Sequence, residues 1–401
     1  MPSAAPSLLL RGIAELVTND PSAGPGLLGI VPNAAVIIDD GRIGWVGPAT
    51  AAPAADTTID LEGRAVLPGW VDAHTQVILG RDRVEDFTTR MSHNAQSDRV
   101  AGAADTSRAA ADADLLAVAR WHRQQILIGG TTCAATATGY GFTPKDEARS
   151  AATAQSAGFD ETIFFAANTL PADYVDDPDA YLDLVCGPML DAVAPLARSI
   201  GVTCGGAFDT ARTRRVLAAG QRTHLHGRVY GTSDSSSLDY MKVAVDTNAA
   251  TAAPCNNLSD ADITALAGSA TVATLFPVAD LINNQPAAPG RSLIDAGASI
   301  AVASGFNPGT CYMSSMNLAV ALAVLRCGLT PAEAVHAATA GGARALRRDN
   351  VGSLTIGARA DLHVLAASSY QDLAYRPGAP LTHAVYHRGT RINTANGATG
   401  T

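Results

Sequence analysis

From Leu67 to Leu346 the sequence alternates short apolar runs ending in Gly, Asn or Asp with longer helical stretches, such as Ser107 to Leu127 and Thr330 to Leu346. Repeated strand-then-helix units have few ways to bury their apolar faces, and a closed parallel sheet ringed by helices is the favoured one. The segment therefore predicts an α/β fold, a (β/α)8 TIM-like barrel. The flanks read differently. Ser7 to Arg11, Ala34 to Ile38 and Ile43 to Val46 are β-patterned, and Asp39-Asp40-Gly41 between the last two signals a tight hairpin. Residues 352–365 and Ala384 to Arg388 are patterned alike. Both chain ends are thus expected to build one small β-sandwich domain, from residues 1–66 and 347–401 with a frayed tail from 393, around a barrel of residues 67–346. A helix start is legible at Thr330, Pro331 and Glu333, the pattern of a capping box with proline in the first turn.

Composition narrows the function classes. A net charge of −9 without a Lys/Arg cluster argues against a nucleic-acid partner. The longest apolar stretch, Leu318 to Leu325, is far short of the ~20 residues that cross a bilayer. Six cysteines without CxxC spacing, and an N-terminus lacking the features of a signal peptide, predict reduced thiols in a cytoplasmic protein. A small-molecule substrate is the expected partner.

In such barrels the chemistry sits where strands end. In Val71-Asp72-Ala73-His74-Thr75-Gln76, alternation turns Asp72, His74 and Gln76 to one inward face. Leu67-Pro-Gly-Trp-Val-Asp-Ala-His-Thr-Gln76 and the following Gly80 to Phe87 resemble the first strand and loop of imidazolonepropionase, within the amidohydrolase superfamily. The resemblance continues in order through Thr138-Gly-Tyr-Gly141, Leu170 to Tyr174, Tyr181 to Cys186, Leu225-His226, Phe306-Asn-Pro-Gly-Thr310 and the Gly352 to Leu362 run.

That resemblance implies a hydrolase in which a metal-bound hydroxide attacks a cyclic amide, with the metal held by a His-x-His pair, a later strand His and a late Asp. His74 and His226 match, but Gln76 stands at the second His of the pair and Gly305 at the Asp. Pro254, Val229 and Asn168 stand at other positions where the resemblance implies active-site side chains. A carboxamide is a poor zinc ligand and glycine is none, so no metal cofactor is expected. The sequence thus points to His74, His226 and Tyr140 as catalytic groups in metal-free acid–base chemistry on a small heterocyclic or amide-like substrate. Gln76, Arg83, Asn168 and Asn307 are the expected substrate-binding residues. One alternative is a rebuilt zinc or iron site of His74, His224 and His226, since Thr223-His-Leu-His226 would put both strand histidines on one face. Another is a non-catalytic ligand-binding protein. Related barrels often pair, which makes a homodimer one option.

Overall fold

β1 (Leu8–Val17), β2 (Ile30–Asp39), β3 (Arg42–Pro48) and β4 (Thr57–Pro68) open the chain. The hairpin forms where expected: Asp39 pairs with Arg42, and the turn residues Asp40 and Gly41 take φ of 45° and 71°. Two successive positive φ values make the two-residue turn whose twist suits a hairpin, and Asp-Gly tolerates them. In β1 the register slips between Leu10 and Ile13, and Gly12 there takes φ +67°, with Asp60 packed where a Cβ would go. The computed structural model describes residues 6–80, 83–93, 99–232 and 239–393. Arg81, Asp82 and the expected tail from 394 onward lie outside the described residues.

The next eight strands are β5 (Trp70–Thr75), β6 (Thr131–Ala137), β7 (Glu161–Ala167), β8 (Ser199–Cys204), β9 (His226–Gly231), β10 (Thr251–Ala253), β11 (Val272–Leu275) and β12 (Ile300–Val302). They form one parallel sheet in sequence order. The residues after β12 close it: Thr75 bridges Phe306, and the Gln76 amide donates to the Phe306 carbonyl at 2.8 Å. Alternation sorts the strand residues. Phe164 and Val229 join the main apolar cluster with helix residues such as Val216 and Leu266, while Phe165 and Tyr230 belong to a separate cluster with Ala73 and Ala303.

β13 (Leu362–Leu365), β14 (Thr382–His387) and β15 (Thr390–Ile392) return to the first sheet, giving the order β15-β14-β13-β4-β1-β2-β3. Both chain ends thus build one domain, with β4 running to Pro68 and pairing with β13. The capping box at Thr330 and Glu333 is present. The stretch from Ser107 to Leu127 differs from expectation: Asp112–Ile128 is one helix, and Ser107 lies in the last turn of another, Arg99–Ala109. All six cysteines are free. Among the described residues no helix is long and apolar enough to cross a membrane.

A buried ionic knot ties the domains together. Asp160, just ahead of β7, receives Arg359 from the C-terminal segment at 2.5 Å and lies 3.6 Å from Arg123. Arg359 also bonds Asp361 at 2.6 Å, and Asp160 accepts from the Ala134 amide. The Asp160 and Arg359 side chains are only 2% and 10% exposed, so removing one partner strands the other charge out of water. Asp160→Ala is expected to lower unfolding stability in urea by ~3–5 kcal/mol. Arg108→Ala, which breaks a pair whose side chains are 38% and 72% exposed, should change it by ~1 kcal/mol at most.

Candidate active site at the strand ends

His74 comes near the end of β5, on the inward face with Asp72. Asp72 is fully buried and accepts from the Ser304 hydroxyl at 2.5 Å, the Ser304 amide at 3.2 Å and the His74 amide at 3.3 Å. Burial pushes its carboxyl up to about 6, against the pull of those bonds. Asp72 thus braces the end of β12 against β5, as its inward, structural placement in the sequence suggests.

The His74 ring is boxed by aromatic groups. Its centroid lies 4.8 Å from Tyr230, 5.4 Å from Phe276 and 6.3 Å from Phe165, and its Nδ1 is 2.8 Å from the Tyr230 hydroxyl. Burial, and then the charge of Arg228, depress its pKa to about 3, so the imidazole is neutral at ordinary pH. Arg228 lies two residues before Tyr230 on β9, on the same face one layer deeper. Its fully buried guanidinium donates to the Ala73 carbonyl at 3.0 Å and the Ala345 carbonyl at 3.3 Å, and sits 3.5 Å from Glu161. Burial raises the Tyr230 phenol, while Arg228 opposes the rise, so this hydroxyl is a protonated donor. A neutral imidazole bonded to a phenol can pass a proton in either direction, the tautomer deciding which nitrogen is free.

A second group of side chains meets beside it. Arg83 is buried, with its guanidinium against Gly309 so closely that a Cβ there would overlap Nη1. Tyr140 is buried, its phenol raised by desolvation and lowered less by Asn307 and Arg83. Asn307 donates to Gln76 Oε1 at 3.0 Å and to the Tyr140 hydroxyl at 3.3 Å. Gln76 in turn donates to the Thr138 carbonyl at 2.8 Å. Both ends of the Gln76 carboxamide are therefore engaged, and it links the loop after β6 to the loop after β12. Asn168, at the end of β7, accepts from Thr203 at 3.1 Å and bonds none of this group.

His226 and His224 do not join the site. His226 is the first residue of β9, paired with Ser199 at the start of β8, whereas Tyr230 four residues on is level with His74. Four residues of strand are ~13 Å, so His226 lies at the opposite end of the barrel, where Glu161 and Arg198 face it. The preceding helix runs to Arg222, leaving three residues before β9 and making the expected same-face pair impossible. His224 sits in that turn, exposed, at φ +63°. The rebuilt three-His site is thus not formed.

Sequence reasoning missed Tyr230, Arg228 and Glu147. The β-branched and aromatic pair Val229-Tyr230, following rather than preceding His226, was the available sign that the strand continues past it. Glu147 is fully buried in the helix Pro144–Ser156 and accepts from the amides of Gly139 at 3.1 Å, Gly141 at 2.7 Å and Phe142 at 3.3 Å. It thereby sets the loop that carries Tyr140. Glu147→Gln keeps the volume but turns one acceptor into a donor facing an amide. It is expected to cost ~1.5–3 kcal/mol of unfolding stability in urea melts for each charge-assisted bond lost. An unchanged midpoint would show that the loop holds itself.

The family model for the amidohydrolase family matches residues 65–390. An imidazolonepropionase of Saccharopolyspora erythraea is 48% identical over 396 residues, covering 96% of this chain and 99% of that relative. One of Mycolicibacterium smegmatis is 46% identical, with 96% and 97% covered. Among solved structures, the atrazine chlorohydrolase of Arthrobacter aurescens complexed with zinc superposes at a TM-score of 0.74, with 17% identity and 96% and 95% of the two chains covered. An adenosine deaminase from Xanthomonas campestris with bound zinc gives 0.71, with 19% identity and 96% and 92% covered. At such identities the structural likeness speaks for the fold alone.

Proposed function

The chain belongs to the amidohydrolase family, and we propose that it is an enzyme acting on a small cyclic amide of the imidazolone class, with His74 and Tyr230 as its proton-transfer pair. The observation that carries the reading is the 2.8 Å contact between His74 Nδ1 and the Tyr230 hydroxyl at the level where β5 and β9 end. Arg83, Tyr140 and Asn307 supply a guanidinium, a phenol and a carboxamide in one group, suited to a substrate carboxylate or ring carbonyl. Asn168 borders the same rim, and Gln76 holds the two loops together.

The family usually works with a metal, and the solved relatives carry zinc. The side chains around His74 do not fit one. Its neighbours are Phe165, Phe276 and Tyr230, and the guanidinium of Arg228 lies beneath, where a divalent cation would meet like charge. Gly305 takes φ +64°, and a Cβ there would press on Ala279 at 3.3 Å, so a carboxylate at this position would be strained. No group of three His, Cys, Asp or Glu suited to a metal occurs among the described residues. The reaction we assign is therefore one that positioning and proton transfer can drive: hydrolysis of an activated ring amide, or isomerisation of the ring. In it, neutral His74 takes or gives a proton at its free nitrogen, Tyr230 compensates at Nδ1, and the Arg83 group orients the substrate. The near-half identity to imidazolonepropionases over almost the whole chain favours the same ring as the starting point of a substrate search.

Steady-state kinetics on imidazolonepropionate and related lactams test this. His74→Ala and Tyr230→Phe should each lower kcat by ~10²-fold or more, and Arg83→Ala should act mainly by raising KM. Because the folded His74 pKa lies near 3, below its usual 6.5, the neutral form persists as pH falls. The acid limb that His74 imposes on kcat/KM therefore belongs near pH 3 and not near 6.5. Wild-type turnover in both His74→Ala and Tyr230→Phe would refute the assignment.

A further inference from the structure

Beyond the ends of β9, β10 and β11 lies a cavity of about 200 Å³ that the His74 chemistry does not use. Thr232, Asn256, Asn257, Asn283 and Gln285 line it together with Asp280, its one carboxylate among the described residues. Phe276 belongs both to its wall and to the aromatic box around His74, so the two compartments are neighbours with a ring between them.

Asp280 is the unusual member. It sits in the helix Pro277–Ile282, only 5% exposed, and its Oδ2 is buried without a hydrogen-bond partner. A buried carboxylate oxygen left unbonded carries a desolvation cost that folded proteins normally avoid. Arg326 from the helix Met316–Cys327 is the charged group whose field reaches Asp280, yet the two make no ion pair, and Arg326 Nη1 is itself buried without a partner. Asn256, the polar side chain beside the carboxylate, donates to the Pro286 carbonyl at 2.5 Å. Desolvation, offset in part by Asn256 and then by the field of Arg326, holds the carboxyl up at about 6, and among the described residues no cation pairs with it directly.

We propose that this cavity is a second ligand site, which takes a small planar N–H cation of the amidinium or guanidinium type on Asp280. Two N–H groups on one carbon match a carboxylate edge, and the surrounding carboxamides offer acceptors for the remaining N–H groups. The chain's net charge of −9 favours the approach of a cation.

The probes are acetamidinium and methylguanidinium, titrated into the full-length protein and followed by ligand-observed NMR. The expected result is saturable binding that Asp280→Asn weakens by ~10-fold or more, with an unchanged circular-dichroism spectrum. Ala279→Leu, which fills the cavity from its wall and leaves Asp280 in place, should abolish binding too, and it remains informative if Asp280→Asn does not fold. His74→Ala should bind the probes as the wild type does, which separates this site from the proposed catalytic one. Absence of saturable binding, or binding that survives Ala279→Leu, would overturn the proposal; the former would leave Asp280 and Arg326 as a pair bridged by buried water.

Discussion

Two adjacent acids at the start of β7 anchor the molecule in opposite directions. Asp160 faces outward to Arg359 and Arg123 and fixes the small domain to the barrel. Glu161 faces inward, accepting from Ser199 at 2.6 Å and pairing with Arg228, Arg198 and Arg348. Strand alternation makes this division, since successive residues serve opposite faces. A guanidinium as buried as Arg228 is sustainable only with such a counter-charge and with carbonyls to receive its donors. Its presence under His74 then follows, and its charge adds to the burial that keeps the imidazole neutral.

Above this base the site is organised by closure of the barrel. The bond from Gln76 to Phe306 brings β5 against the segment after β12, and the same contact sets Gln76 beside Asn307. Asn307 reaches Tyr140, and Glu147 fixes the turn on which Tyr140 sits. The result is a chain of polar contacts spanning the first, second and last strands of the barrel. Across from it, Tyr230 meets His74. The two halves are distinct in kind: one presents fixed charge and hydrogen bonds suited to recognition, the other an imidazole bonded to a phenol in an aromatic box.

The sequence made a good part of this legible, because strand alternation is a strong rule where a run ends in polar residues. Asp72, His74 and Gln76 follow it, the Asp-Gly hairpin and the Thr330 capping box form as patterned, and Arg83, Tyr140 and Asn307 lie together beside Gln76. What failed was register. The resemblance around Leu225-His226 says nothing of where the preceding helix stops, and a helix running to Arg222 moves the strand by four residues, about two barrel layers. His226 consequently starts β9, and Tyr230 takes the strand-end place. Glu147 was hidden for another reason: it acts backward from a helix onto a loop, and no periodicity marks such a contact.

Tyr230 and Arg228 near the end of β9 set a phenol and a guanidinium about His74, and the chemistry proposed for that imidazole is metal-free. Metal content by inductively coupled plasma mass spectrometry, on untagged protein purified without chelator and compared with His74→Ala, tests it most directly. Zinc and iron well below stoichiometric amounts are expected in both proteins, each folded. About one equivalent of either metal in the wild type, lost in His74→Ala, would contradict it and place His74 among metal ligands.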